Sequence, residues 1–370
     1  MRVSSALPSS CCRSPCFSRG RLSRACRAMV PCGELAALAA DSLGGERGEQ
    51  MTTQPAESPA AAGLSIDVDL DERVSYALSV NRRPPVRTVE VRNDHGDLGR
   101  QVRVRLFSEW TAADRPPIRE IIRDVPAPTF GESLPIDFTE SRLDDTALAY
   151  LDIATPAEVV VEVQSDDGEI LTRHRQDVLI QARNFWRRDL EVLTASFVQF
   201  QHPALTEIRQ RVSEILAAHT GNGSLEGYQS ESPQRVAQMG AAVFEALRER
   251  ISHYLMSPPT NEFVTRGQSV RPLDELLETG QGNCIELACA YAACMYSIGI
   301  DPVIFIVPGH AFGGFYLEDR RERAGNRWNR ALTTEFSSIQ TLVEEQKVLA
   351  LETTSIPGST SFQEAIVAVA

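Results

Sequence analysis

The 370-residue chain has eight cysteines, but no two of them stand as C-x-x-C. That removes the usual ligand spacing of a structural zinc site. Five of them, Cys11, Cys12, Cys16, Cys26 and Cys32, precede residue 33, and the next is Cys284. The body of the chain therefore lacks a disulfide framework, which suits a reducing compartment. Positive charge is also scarce, with 37 Lys and Arg against 50 Asp and Glu and a net charge of −13. Phosphate contacts need clustered Lys and Arg, so general nucleic-acid binding is excluded. No stretch approaches the roughly 18 apolar residues of a membrane-spanning helix. The composition implies a cytoplasmic protein with no membrane partner, no cofactor and no bound metal.

At this length two folded domains are expected. Residues 1–62 read as a disordered leader. Six Arg precede the first acid, Glu34, and Ser is frequent. This is the composition of a transit peptide, without the continuous apolar region of a secretory signal. A start at or near Met51, which opens MTTQPAESPAAAG, is the preferred reading. Residues 63–182 read as a β-sandwich domain. LSIDVDL, PVRTVEVRN, RQVRVRLFSEW, VVVEVQ and ILTRHRQDVLI alternate apolar with polar residues, as half-buried strands do. Turn residues separate them, Asn93-Asp94-His95-Gly96 and Asp166-Asp167-Gly168 among them. Such spacing predicts an immunoglobulin-like sandwich. Its isolated histidines, His95 and His174, form no cluster, and the domain reads as scaffold or interaction module.

Residues 183–222 read as a connecting helical segment. Phe185, Trp186, Phe197 and Phe200 are assigned to packing between domains, and Leu205, Ile208, Val212 and Ile215 mark an amphipathic helix closed by Gly221 and Gly223. Residues 223–370 form the second domain. Ser232-Pro233 starts a helix striped by Val236, Met239, Val243, Leu247 and Ile251, and residues 271–279 form a shorter one. The final SFQEAIVAVA reads as a helix cut short, so a further C-terminal module or partner chain is expected.

Within this domain, residues 280–319 read GQGNCIELACAYAACMYSIGIDPVIFIVPGHAFGGFYLED. A glycine turn delivers Cys284 to the start of an apolar helix that Gly299 stops. A strand follows, then a Pro308-Gly309 turn into His310 at the head of a second strand. The thiolate is the reactive form of cysteine, and a helix N-terminus favours an anion. An imidazole nearby supplies the general base and acid. A third group usually orients the histidine, and Glu352, at the end of the strand-like run 348–351, is the candidate. Glu318 and Asp319 are its rivals. Cys289 and Cys294 lie inside the Ala-rich helix and read as core.

The motifs G-N-C-I-E-L-A, G-I-D-P and G-H-A-F, with a strand ending in an acid followed by Thr, resemble the core of the transglutaminase-like cysteine-protease superfamily. The likeness is closer to a bacterial branch, sometimes fused to helicase-like parts. Its members read similarly to GQSVRPLDELLETGQGNCIELA, PGHAFGGFYL and LETTSI, after a GYQ (Gly227-Tyr228-Gln229) and a PP (Pro258-Pro259) segment. The resemblance covers roughly residues 65–370. It implies a papain-like or transglutaminase-like domain after the sandwich, α+β overall, with Cys284, His310 and Glu352 as its triad. Many members place Asp at the third position, where this chain has Glu352. The superfamily often takes an oxyanion donor from upstream of the cysteine, for which Gln268 is a weak candidate. The backbone N–H of Cys284, at the helix N-terminus, is a better one.

The expected function is thiol-dependent acyl transfer or amide hydrolysis on a peptide or protein substrate. The alternative is a non-catalytic interaction module on the same fold. Metal binding by Cys284, His310 and Glu352 has the ligand types but not the close spacing of a metal motif.

Overall fold

Strand β1 (Ala28–Pro31) stands apart in sequence from those that follow it. Next come β2 (Leu64–Leu70), β3 (Arg73–Val74), β4 (Val86–Asn93), β5 (Gln101–Glu109), β6 (Ile121–Pro126), β7 (Ser133–Asp137), β8 (Thr155–Gln164) and β9 (Ile170–Ile180). The computed structural model describes residues 28–31, 63–94, 96–110, 117–256, 267–319 and 336–367. Met51, His95, Pro258 and Pro259 lie outside the described residues. Strands and helices are both abundant and largely segregated along the chain, an α+β arrangement.

Strands β2 to β9 form two sheets, ordered β2-β4-β7 and β3-β9-β8-β5-β6. Pairing is antiparallel except between β3 and β9. Alternation along β5 shows why these residues make strands. Val102, Val104 and Leu106 are buried, while Gln101 before them and Arg103 between them face outward. Val89, Val91 and Ile136 of one sheet meet Val102, Val104, Val159 and Val161 of the other in a single core.

A second core begins at Trp186. The 3-10 segment Arg188–Phe197 lies between the two, with Leu193 buried in the first core and Phe197 packed against both. Trp186 donates its indole N–H to the Thr194 hydroxyl at 2.8 Å. The helix Leu205–Thr220 buries Leu205, Ile208, Val212 and Ile215 in the second core and ends at Gly221. The helix Pro233–Arg248 starts with the Ser232 hydroxyl accepting the Arg235 N–H. Four further two-residue strands are β10 (Phe185–Trp186), ahead of the 3-10 segment, and β11 (His253–Tyr254), β12 (Gln268–Ser269) and β13 (Gln281–Gly282), after the two helices. β10 pairs antiparallel with β12, and β11 runs parallel to β13.

The centre of this unit is the helix Cys284–Ser297 against a sheet containing β14 (Pro302–Val307), β15 (His310–Tyr316) and β16 (Val348–Leu351). The order is β1-β14-β15-β16, all antiparallel. Residues 28–31 thus depart from the expected disordered leader, pairing Ala28 with Ile306 and Pro31 with Val303. An open sheet edge offers a row of unpaired N–H and C=O groups, which is a template for such a strand. The helix can sit close because β15 carries glycine. A Cβ on Gly313 would come within 2.8 Å of the Thr353 methyl and 3.4 Å of the Tyr291 ring. Among the described residues no helix is long and apolar enough to cross a membrane.

The Gly227-Tyr228-Gln229 motif has a structural explanation. Gly227 has a left-handed φ of 57° and its α-carbon packs on Gly299, where a Cβ would meet the carbonyl oxygen at 2.9 Å. The buried Tyr228 hydroxyl accepts the Asp301 N–H at 3.0 Å and donates to the Tyr316 carbonyl at 3.0 Å. It ties the entrance of β14 to the exit of β15. Tyr228→Phe should cost about 1–3 kcal/mol, because a buried donor and a buried acceptor each lose this partner. A shift in the urea midpoint at unchanged slope would measure it.

Candidate active site

The approach to Cys284 is a sequence of fixed turns. The helix Leu273–Thr279 ends at Gly280, whose φ of 64° is left-handed, a conformation glycine adopts without Cβ strain. Gln281 and Gly282 then pair with β11. Asn283 caps the next helix: its side chain accepts the Glu286 N–H at 3.1 Å, and the Glu286 carboxylate accepts the Asn283 N–H at 2.9 Å. This reciprocal capping box places Cys284 at the first helical position, where N–H groups have no partner within the helix. The Glu286 carboxylate is buried and bound in turn by the Arg271 guanidinium at 2.7 Å.

The histidine arrives by a tight hairpin. β14 and β15 pair from Val307–His310 onward, across the Pro308-Gly309 turn. The acid arrives on β16, one residue beyond the Gly313–Leu351 pair. His310 Nε2 lies 2.8 Å from a Glu352 carboxylate oxygen. The Cys284 side chain is the other group that acts on the ring. Cys284 is half-buried and the His310 side chain is 33% exposed, so solvent reaches the pair.

The electrostatics follow from these contacts. The hydrogen bond to Cys284, then the one to Glu352, hold the ring proton against the loss of hydration, and His310 is pushed up to about 10. Burial alone would raise the Glu352 carboxyl. The His310 hydrogen bond and the Thr354 hydroxyl and N–H, at 2.7 and 3.0 Å, outweigh it and hold the group below the ordinary glutamate value. Glu352 is thus oriented on both sides, one oxygen to the imidazole and the other to Thr354. Cys294 presents the contrast: complete burial pushes its thiol up to about 12.

The fold therefore brings Cys284, His310 and Glu352 to one point. Glu318 and Asp319 are carried to the far end of β15, where with Tyr228 and Gly299 they line a cavity of about 950 Å³ at the opposite end of the cysteine helix. Gln268 sits on a different ladder, opposite Trp186 on β10. Among the described residues, no three His, Cys, Asp or Glu side chains are grouped as metal ligands would be.

Two features escaped the sequence reading. The Arg271–Glu286 pair behind the cysteine turn was detectable in part, since Asn283 followed three residues later by Glu286 is a capping-box spacing. Tyr254 was not detectable. It lies on a two-residue strand with no periodicity, yet burial and the neighbouring Cys284 push its hydroxyl up to about 12.

No family model matches the sequence, and no curated protein matches it. Among solved structures, the chain is similar to a family 76 glycoside hydrolase from a bovine Bacteroides thetaiotaomicron strain at 6% identity and a TM-score of 0.16, over 42% of this chain and 25% of that one, a likeness too slight to assign a fold or an activity.

Proposed function

We propose that the chain is a cysteine acyl-transfer enzyme of transglutaminase-like type, acting on a peptide or protein. One observation carries this reading: a half-buried cysteine, an imidazole and a carboxylate meet at one point although His310 and Glu352 are 42 residues apart and Cys284 lies on a different element from either. A cysteine helix packed on an antiparallel sheet that bears the histidine and the acid supports a papain-like or transglutaminase-like domain. Two sheets sharing one core support the immunoglobulin-like reading of the first domain, with residues 63–182 and 223–370 as the two domains and 183–222 as the join.

His310 takes the Cys284 thiol proton, the sulfur adds to an amide carbonyl carbon, and the carbonyl π pair moves to oxygen. As the tetrahedral adduct collapses, the C–N bond breaks and His310 delivers its proton to the leaving amine. Glu352 holds the imidazole in line and stabilises its charged form. The resulting thioester passes its acyl group to water or to an amine, with His310 taking the proton of whichever attacks.

The test uses p-nitrophenyl acetate as acyl donor. A stoichiometric burst of p-nitrophenolate is expected, with the acetyl mass located on Cys284 by peptide mass spectrometry, and neither in Cys284→Ala. A wild-type signal no larger than that of Cys284→Ala would sink the enzyme reading in favour of an interaction module.

A further inference from the structure

The sheet that carries His310 owes one of its four strands to residues far upstream. β1 lies on the outer edge of β14, paired with residues 303–306, and residues 32–63 separate it from β2. Without β1, β14 is an end strand of this sheet. β14 reads PVIFIV, and Val303, Ile304, Phe305 and Ile306 are each at most 4% exposed. Both of its faces are therefore covered, and only the edge is left to pair. It carries no charge and no register shift against β15, and Pro302 precedes the stretch that β1 covers. The edge strands of the other two large sheets are built otherwise. β2 has Asp67, Asp69 and a register shift between Asp69 and Leu70; β6 has Arg123, Asp124 and Pro126; β7 has Pro135 and Asp137. β3 is two residues long, and β16, the opposite edge of the β14 sheet, is four residues between Lys347 and Glu352. Charge, proline, bulges and shortness are the devices that keep strand edges from joining. Among these edges β14 alone lacks them, and its uncharged, β-branched and aromatic run is of the kind that self-associates.

We propose that residues 28–31 are an edge guard, occupying in cis the strand position on β14 that would otherwise receive β14 of a second copy of this chain. The inference stands apart from the acyl-transfer reading. An antiparallel strand pair is self-complementary about a two-fold axis, so two bare β14 edges pair with each other and close at two copies. The guard prevails in the intact chain because it is tethered. A covalently linked strand meets its own edge at an effective concentration on the order of millimolar. Free edges in solution meet at their bulk concentration, which is roughly micromolar at the low end of the range where unpaired strands associate. Loss of the guard therefore converts a single chain into a dimer joined through one continuous sheet.

The test breaks the guard's backbone ladder in the full chain. Successive N–H groups of a strand point alternately toward and away from its neighbour. Met29→Pro combined with Val30→Pro therefore removes a ladder donor whichever of the two faces β14. Light scattering on a sizing column should give the wild type the mass of one chain, 40.8 kDa, at every concentration tested. The double variant should move to twice that mass as its concentration rises. A synthetic peptide of residues 25–34, carrying Cys26→Ser and Cys32→Ser, should return the variant to one chain by refilling the edge. Hydrogen exchange gives a second reading. The amides of residues 303–306 that face β1 should exchange slowly in the wild type, fast in the dilute variant and slowly again in the dimer. A variant that keeps the mass of one chain throughout overturns the proposal. So does growth beyond two copies, a dimer that ignores the peptide, or a wild type that already has the doubled mass. Fast exchange of the β1-facing amides in the wild type would show the guard unseated and overturn it equally.

Discussion

Arg271→Ala will lower the free energy of unfolding by about 3–5 kcal/mol, the penalty for leaving a buried charge without its partner. The Glu286 side chain is only 2% exposed. Its carboxylate accepts the Asn283 N–H, the Arg271 N–H at 3.0 Å, and guanidinium N–H groups at 2.9 and 2.7 Å. The same guanidinium donates to the Gln281 carbonyl at 2.9 Å. Removing it leaves a desolvated carboxylate on two backbone N–H groups and a carbonyl of the cysteine turn without this donor. Urea unfolding of the full chain measures the loss. Arg271→Met combined with Glu286→Gln should lose less than Arg271→Ala alone, because no uncompensated charge remains. A loss below about 1 kcal/mol for Arg271→Ala would class the pair with exposed salt bridges. Iodoacetamide labelling of Cys284 should slow with the stability loss, since the turn that presents the sulfur is built on this carboxylate.

That pair shows where the sequence was readable and where it was not. Strongly periodic stretches declared themselves: LSIDVDL and ILTRHRQDVLI span β2 and β9, and Ser232-Pro233 begins the helix it was expected to begin. The strands that were missed are those with weak patterns. β7 contains Pro135, which normally argues against a strand, but β7 is at a sheet edge, where a missing N–H is tolerated. β6 is also an edge strand and half-buried at best, so its apolar alternation is shallow. For the candidate site, Cys284 and His310 are marked by turn chemistry: a glycine turn before a helix, and Pro-Gly before a strand. Glu352 is marked only by ending a strand. Its advantage over Glu318 and Asp319 comes from sheet order, since β16 pairs with β15 and returns the acid to the histidine's end. Tyr254 is placed by a two-residue parallel ladder with Gln281 and Gly282, a tertiary contact that no local pattern encodes.

His310→Ala should slow acetylation of Cys284 by about 10²–10⁴-fold, the range for losing a positioned acid–base group. Its effect on stability should depend on pH with a definite sign. The ring proton is held more tightly in the fold than in the unfolded chain, at about 10 against an ordinary 6.5. Folding therefore gains fully from that proton below about pH 6.5 and progressively less as pH rises toward 10. Glu352 acts in the opposite sense: held below its ordinary 4.5, it contributes above that value and loses its contribution in acid. The difference in Tm between wild type and His310→Ala should be widest near pH 5 to 6.5 and should narrow steadily into the alkaline range. A difference that grows from pH 6.5 to 9 would mean that the fold holds the imidazole neutral. The charged imidazolium between Cys284 and Glu352, and with it the proton source for the leaving amine, would then be wrong. A flat difference would mean that His310 is stabilised by packing against Phe312, 6.0 Å away between ring centres, rather than by its ionic partners.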